Sequence, residues 1–203
     1  MSGVDPRRIL TFPAFCGSVD PMKKVRSITT GAGDAGKTKL FSGEEVSKNS
    51  LRTDAYGTID ELESILGVAR VHADRDDVRE GLLYVQRTLF IVAAELATTN
   101  KGLKQLPRLV GKRTVREMEG RRLVLEQKVK MPRGFVIPGA TLSAAHIDHA
   151  RSVARRCERK VVGLYEQGYL SNALLLVWMN RLSDYLWLLA RLEEQKAAGS
   201  PQF

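Results

Sequence analysis

The chain has 203 residues, of which 43% are hydrophobic and 27% charged, and its formal net charge is +9. These values are typical of a folded protein of one domain and exclude disordered and collagen-like chains. The longest apolar run, residues 173–179, is far shorter than the roughly 20 residues that cross a bilayer, so no membrane span is predicted. The positive charge favours a polyanionic partner, which could be nucleic acid, an anionic membrane surface or a nucleoside triphosphate.

Cysteine usage and the N-terminal residues predict the compartment. Two cysteines, Cys16 and Cys157, form neither a disulfide framework nor a metal-binding pattern, and no signal-peptide pattern is present. We therefore expect a cytoplasmic protein, with the mitochondrial matrix as the alternative.

Apolar spacing in chain order predicts an all-α bundle of five helices. The expected domain covers residues 27–197, with a loop at 27–53, a poorly ordered tail at 1–26 and a short tail at 198–203. Apolar residues recur at three- and four-residue intervals in five segments, which is the pattern of amphipathic or buried helices. The expected helices start at Asp54, at about Asp76, at Gly111, after a cap at Thr141 or Ser143, and at about Asn172. Extended structure is expected only at 25–30 and 135–137.

The stretch "GAGDAGKT", residues 31–38, fits the P-loop pattern G-x-x-x-x-G-K-[ST]. A P-loop needs a buried parallel strand before it and a helix directly after it. Charged residues precede this stretch, and no helical spacing follows it, so a P-loop fold is not expected. Its glycines still let backbone amides approach an anion, Lys37 adds charge, and Thr29, Thr30 and Thr38 offer hydroxyls. A flexible surface loop is the alternative.

Three arginines of the fourth helix, Arg151, Arg155 and Arg159, share one face at i, i+4 and i+8. Like charges at this spacing repel by about 0.2–0.5 kcal/mol per pair, so an anion or a carboxylate is expected nearby. A triphosphate fits, because the guanidinium fork binds phosphate with two hydrogen bonds. The alternative is a solvated basic face.

Polar residues also interrupt the apolar fifth helix, at Asn180, Arg181, Ser183 and Asp184. Such groups are costly inside a bundle unless they are paired or meet a ligand. A pair between Arg181 and Asp184 that sets the helix register is the alternative to a binding site.

Acidic and histidine residues give weaker candidates. Asp60 and Glu61 lie beside the apolar face of the first helix and could meet an arginine, or they could be ordinary surface acids. His146 and His149 lack a third ligand, so no metal site is predicted there.

Four blocks of sequence, in order, resemble the PduO-type ATP:corrinoid adenosyltransferases. They are "TTGAGDAGKTKLFSGEEVSK", "RTDAYGTIDELESILGVAR", "FVIPGATLSAAHIDHARSVARRCER" and "MNRLSDYLWLLAR". The resemblance spans about residues 28–192 and implies a five-helix bundle that assembles as a homotrimer, with ATP between subunits. The implied reaction transfers the 5′-deoxyadenosyl group of ATP to the cobalt of cob(I)alamin and releases triphosphate.

The resemblance also implies roles for particular residues. Arg155 would contact phosphates, Arg151 would pair with Asp60 of a neighbouring subunit, and Phe135 would pack beneath the corrin. ATP and Mg²⁺ would be held by the remaining candidates, which are Thr29, Thr30, Gly31, Gly33, Asp34, Gly36, Lys37, Thr38, Lys48, Arg156, Glu158, Asn180, Arg181 and Asp184. Arg52 is a weaker candidate.

The sequence departs from the family pattern at two positions of the loop. Gly31 stands where the family commonly has a basic residue, and Lys37 stands where it more often has a small polar one. We hypothesise that Lys37 replaces the missing charge. A corrinoid reductase or an adenosylcobalamin-dependent mutase is a further expected partner.

The sequence leaves two alternative hypotheses about function. A basic bundle could bind nucleic acid, although the fourth helix lacks interleaved aromatic residues, and no nucleic-acid partner is predicted. A P-loop kinase or ATPase would release ADP and orthophosphate rather than intact triphosphate.

Overall fold

The computed structural model describes residues 28–196 and divides the chain into two units, residues 1–31 and 32–203. The predicted tails at 1–26 and 198–203 lie outside the described residues, as does Cys16. The described part confirms the five predicted helices. Its elements are β1 (Lys37–Lys39), β2 (Glu45–Ser47), α1 (Leu51–His72), α2 (Asp76–Leu96), a 3-10 turn (Leu103–Gln105), α3 (Lys112–Lys128), α4 (Leu142–Glu166) and α5 (Ala173–Lys196).

The helices of the second unit pack around one apolar core. Helix α1 packs against α2 and α4, α4 packs against α5, and α5 packs against α3, with a smaller contact between α2 and α5. The apolar stripes that the sequence predicts face inward, and Trp178 of α5 is the largest fully buried side chain. None of the described helices is long and apolar enough to cross a bilayer.

Helix α1 begins one turn earlier than the apolar spacing predicts. Ser50 caps it by accepting a hydrogen bond from the backbone N–H of Thr53 at 3.3 Å. The first turn contains buried polar residues, Arg52 and Thr53, which interrupt the apolar stripe. The expected start at Asp54 is therefore wrong, because the stripe marks only the part of the helix that buries apolar side chains. The expected cap of α4 is confirmed at Thr141, which accepts from Ala144 N.

Arg52 ties three segments together from inside the protein. Its Nη1 donates to the backbone carbonyls of Leu96 and Thr98, each at 2.8 Å, and its Nη2 donates to the carbonyl of Tyr169. Burial lowers the pKa of this guanidinium. Arg52 thus joins the start of α1 to the end of α2 and the α4–α5 connection, and its contacts are structural.

A short antiparallel hairpin of β1 and β2 precedes α1, and the sequence did not predict it. The hairpin docks on the end of α2, where Phe41 N donates to Ala97 O at 2.8 Å and Thr99 Oγ1 donates to Glu44 Oε1 at 2.7 Å. The extended candidate at 135–137 forms no strand, and the described part of the other, 28–30, forms none.

Two helix glycines give a matched test of the packing. A Cβ at Gly81 would lie 2.9 Å from both Leu189 Cδ2 and Tyr185 Oη in the core, whereas a Cβ at Gly120 would meet nothing within 4 Å. We expect Gly81→Ala to lower the free energy of unfolding by about 1–3 kcal/mol. Gly120→Ala should raise it by roughly 0.5–1 kcal/mol, because alanine restricts the unfolded chain and favours the helix. Urea denaturation of both variants measures the two changes, and a stabilised Gly81→Ala protein would contradict the packing.

Candidate active site

The glycine-rich stretch forms a tight turn that leads into the hairpin. Gly36 N donates to Gly33 O at 3.1 Å, and Gly36 has a positive φ of 74°, which a side chain would strain. The backbone N–H of Lys48, the residue directly after β2, donates to the carbonyl oxygen of Gly36 at 2.9 Å. Asp34 lies in this turn, and Lys37 and Thr38 lie on β1.

This geometry confirms that the stretch is not a P-loop. Within residues 28–196 no strand precedes the turn, the strand that follows it, β1, pairs antiparallel with β2, and α1 begins only at Leu51, so no helix opens from Gly36 and Lys37. Thr29, Thr30 and Gly31 belong to the first unit and have irregular backbone, with a φ of 67° at Gly31.

Lys48 closes tightly over the glycine turn. A Cβ built on Gly33 would lie 2.5 Å from Lys48 Nζ, so the ammonium group occupies the space that a side chain at position 33 would need. The missing side chain at Gly33 therefore allows a lysine charge to lie directly beside the turn.

A groove of about 450 Å³ opens next to Lys48 between α1 and α4, and we call it the α1–α4 groove. It contains three of the predicted candidates, Lys48, Glu61 and Arg156. Basic and acidic side chains alternate around it. Its lining residues are Lys48, Asn49, Thr53, Asp54, Gly57, Thr58, Glu61, Arg156 and Lys160.

Two ion pairs cross the α1–α4 groove. Arg156 contacts Glu61, and Lys160 contacts Asp54. The hydrogen bond to Glu61 raises the pKa of Arg156, and the guanidinium stays charged. Glu61 is one of the candidates predicted from the sequence, whereas Asp54 and Lys160 are not. The spacing of Lys160, four residues after Arg156, is the signal that would have placed both on one helix face.

The polar interruption of α5 pairs with α4. Asn180 Nδ2 donates to Glu158 Oε1 at 3.0 Å, and Arg181 Nη1 donates to Asn180 Oδ1 at 2.8 Å. Arg181 also lies 3.5 Å from Glu119 of α3. The structure thus brings together three of the predicted residues, and Arg181 pairs with Glu119 and Asn180 instead of Asp184.

We call the contact between α4 and α5 the α4–α5 seam. It runs from the Asn180–Glu158 hydrogen bond to the opposite end of these antiparallel helices. There Arg191 Nη2 donates to Asp148 Oδ2 at 2.5 Å. Arg155 and Asp184 lie between this contact and the one at Asn180, and both are exposed. Arg159 Nη1 donates to the backbone carbonyl of Arg155 at 3.1 Å, which places the two side chains on one face as predicted.

Arg151 pairs within its own helix. Its Nε donates to Asp148 Oδ1 at 3.1 Å, while Asp60 lies exposed on α1. The expected pair between Arg151 and Asp60 concerns neighbouring subunits and stays a prediction.

Phe135 lies fully exposed in the irregular connection between α3 and α4. Ile137, Met131 and Leu142 are exposed in or beside the same connection. The connection and the start of α4 thus carry four large apolar side chains that the described residues leave exposed.

The histidine and cysteine residues give no metal site. His146 stacks on His72 with ring centroids 6.3 Å apart, and the part of the chain described contains no group of three or more metal-ligating side chains. Cys157 is buried in the core, and burial raises its pKa to about 12, so the thiol stays protonated at neutral pH.

A second groove, of about 460 Å³, runs between α1 and α2. Alanines and the exposed ring of Phe90 line it together with Asp60 and Glu63. Glu63 Oε1 is shielded from solvent and has no hydrogen-bond partner within residues 28–196. Burial first and Asp60 second raise the pKa of Glu63 to about 7.

These features define an all-α bundle with a lysine beside its glycine turn. Next to the turn lies a groove that two ion pairs cross. The family model for cobalamin adenosyltransferase matches residues 28–193. The chain belongs to the cobalamin adenosyltransferase family, and the predicted resemblance is confirmed.

Individual relatives agree with this assignment. The chain is 37% identical to a corrinoid adenosyltransferase of Citrobacter freundii over 170 residues, which cover 82% of this chain and 94% of that protein. It is 36% identical to the corrinoid adenosyltransferase PduO of the same organism, covering 84% of this chain but only 51% of that longer protein. A solved variant of the PduO-type ATP:corrinoid adenosyltransferase from Lactobacillus reuteri, complexed with cobalamin and ATP, is 28% identical with a TM-score of 0.77, covering 85% and 93% of the two chains.

The raised pKa of Glu63 predicts a pH-dependent stability. Because the folded-state pKa of about 7 exceeds the ordinary value of 4.5, the stabilising effect of the protonated group is complete below about pH 4.5 and is lost as the pH rises through about 7. We expect Glu63→Gln to be more stable than the wild type at pH 8 by about 1 kcal/mol, after allowing for solvent screening, and equally stable near pH 4.5. Thermal unfolding across this range measures the difference.

The control is Ser64→Ala, an exposed neighbour of Glu63 on α1 whose hydroxyl does not titrate in this range. Its effect on the free energy of unfolding should be the same at the two pH values. A difference for Glu63→Gln that does not grow with pH would mean that a cation meets the Glu63 carboxylate in the protein in solution.

Proposed function

We propose that this protein transfers the 5′-deoxyadenosyl group of ATP to the cobalt of a reduced corrinoid, forming adenosylcobalamin and triphosphate. The observation that carries the proposal is the gathering of Lys48, Arg156 and the glycine turn around one groove of a cobalamin adenosyltransferase bundle. A related solved protein is complexed with both cobalamin and ATP.

The reaction places few demands on protein acids or bases. The lone pair of cobalt(I) forms the bond to C5′ of ATP, the bond between C5′ and the 5′ oxygen breaks, and the electron pair leaves with the triphosphate. The protein's tasks are to hold C5′ in line with cobalt and to stabilise the negative charge that develops on the leaving group.

The arginines of α4 are suited to the second task. Arg155 is exposed and would contact the phosphates directly, while Arg156 and Lys48 would hold them beside the glycine turn. Asn180 would contact the nucleotide, with Glu158 and Arg181 fixing its amide and Asp184 lying on the same surface. Phosphate contacts from Thr29, Thr30 and Gly31 stay a prediction from the sequence.

Mg²⁺ fits this site only together with the substrate. Mg²⁺ commonly uses one or two carboxylates and takes its other ligands from phosphates and water. Asp34 and Thr38 are the side chains that would hold it, and it would neutralise part of the triphosphate charge.

Phe135 would provide the lower face for the corrin. Its exposed ring and its apolar neighbours form a surface that would exclude water from the lower cobalt position. A cobalt without a lower ligand is easier to reduce to the nucleophilic cobalt(I) state, which a corrinoid reductase would supply.

A homotrimer would complete the site. Asp60 on the α1–α2 groove is an exposed carboxylate, and Arg151 on α4 presents positive charge. Pairing of Asp60 with Arg151 of a second copy would place the nucleotide site between subunits.

An anaerobic assay with ATP, Mg²⁺ and chemically reduced cob(I)alamin tests the activity. We expect adenosylcobalamin and triphosphate in equal amounts, followed by the visible spectrum and by a triphosphate assay. Arg155→Ala should lower kcat/KM by about a hundredfold, because one charged contact to the leaving group is lost. Arg116→Ala, an exposed arginine of α3, should change it by less than about twofold. Release of ADP and orthophosphate would contradict the proposal.

Lys37 offers a separate test of the glycine turn. It forms an exposed ion pair with Glu45 at 2.8 Å, which contributes little to stability. If Lys37 supplies the charge that Gly31 lacks, Lys37→Ala should raise the KM for ATP by about five- to tenfold at unchanged Tm. Lys39→Ala, two residues further along the same strand, is the control and should leave the KM unchanged. An unchanged KM in Lys37→Ala removes the compensation hypothesis.

A further inference from the structure

Asp148 carries a buried carboxylate between two guanidinium groups on the α4–α5 seam. Only 4% of its side chain is exposed. Arg191 Nη2 contacts Oδ2 at 2.5 Å, and Arg151 Nε contacts Oδ1 at 3.1 Å. Each carboxylate oxygen therefore holds a different arginine.

The two arginines differ in how firmly they are held. Arg191 is buried and also donates to both carboxylate oxygens of Glu194, at 2.7 and 2.8 Å, and it lies 5.5 Å from the centroid of the Trp187 ring. Arg191 is therefore fixed from three sides, and it fixes Asp148 in turn.

Arg151 is held through one atom of its guanidinium group, Nε. Its side chain is 28% exposed, and its contact with Asp148 uses Nε. In the part of the chain that the structure describes, neither terminal nitrogen of Arg151 forms a hydrogen bond. A guanidinium held through Nε keeps both terminal nitrogens for a bidentate contact with a carboxylate, which is what the proposed pairing with Asp60 of a second copy requires.

We propose that Asp148 is a positioning residue that holds the Arg151 guanidinium ready for the adenosyl-transfer reaction. The inference rests on the proposed function, because it concerns the same site. A free arginine side chain loses rotamer entropy when it is fixed. The contacts of Asp148 with Arg191 and with Arg151 meet part of this cost before the substrate binds.

A purely structural role is the competing explanation. In that case Asp148 serves only to neutralise the buried Arg191 and to join α4 to α5. Glu194 provides the matched control, because it also contacts Arg191 in the seam but does not contact Arg151.

The experiment compares Asp148→Asn with Glu194→Gln in the anaerobic adenosylation assay, with the Tm of each variant recorded. Both changes replace a carboxylate partner of Arg191 by an amide, and both should lower the Tm. Asp148→Asn should lower kcat/KM for ATP by at least about tenfold, because Arg151 loses its fixed geometry. Glu194→Gln should change it by less than about twofold. Equal losses in the two variants would overturn the inference.

A double-mutant cycle that combines Asp148→Asn with Arg151→Ala separates the two explanations, because a purely structural role predicts no coupling between the two changes in ATP affinity. The Kd for ATP is measured by calorimetry, without corrinoid, in the wild type, both single variants and the double variant. If Asp148 acts through Arg151, Asp148→Asn should weaken ATP binding in the wild type and leave it unchanged in the Arg151→Ala background. Additive losses would overturn the inference.

Asp148→Glu keeps the test open if Asp148→Asn does not fold. The charge for Arg191 is retained, but the carboxylate lies one carbon further out. Because Glu194 holds Arg191 in place, the displacement falls on Arg151, and kcat/KM should drop at least about threefold. Wild-type kinetics in this variant would overturn the inference. A wild-type protein that makes no adenosylcobalamin would instead remove the proposed function.

Discussion

Repulsion among the arginines of α4 is the constraint on which the rest of the site depends. Arg151, Arg155 and Arg159 share one face of a helix whose other side must remain in the core. The neighbouring groups relieve this repulsion at defined points. Asp148 of α4 itself meets Arg151, and Glu61 of α1 meets Arg156. The bundle thus holds a dense positive surface in place partly through its own carboxylates.

The glycine turn differs from a P-loop in the elements that surround it. In a P-loop, the helix that follows supplies the dipole and the amides that attract phosphate. Here a hairpin follows the turn, and Lys48 from the far strand lies against Gly33. The positive group beside this turn is therefore a lysine side chain and not a helix N-terminus. A match to the P-loop sequence pattern does not by itself predict a P-loop fold.

The sequence predicted the helices well because apolar spacing reports burial directly. It failed where structure depends on polar groups. The start of α1 is hidden by the buried Arg52 and Thr53, and the three-residue strands of the hairpin are too short to show alternation. The motifs named Asn180 and Glu158 as separate site candidates, and the structure places their polar atoms 3.0 Å apart; their roles at the site stay predictions. The roles of Lys160 and Asp148 depend on which residues of α1 and α5 face them, and spacing within one helix does not contain that information.

The pairing pattern separates two kinds of positive charge at the site. Arg151 and Arg156 each meet a carboxylate, so their guanidinium groups are oriented but partly neutralised. Arg155 forms no ion pair within the described residues and lies on the exposed face between them. An electrostatic site gains most when its charges are both fixed and uncompensated, and no one of these residues has both properties. A triphosphate that contacts Arg155 and Arg156 would take its orientation from the paired Arg156 and most of its charge stabilisation from Arg155. Loss of Arg155 should then affect the developing charge on the leaving group, while loss of an acidic partner should affect the geometry in which that group is held.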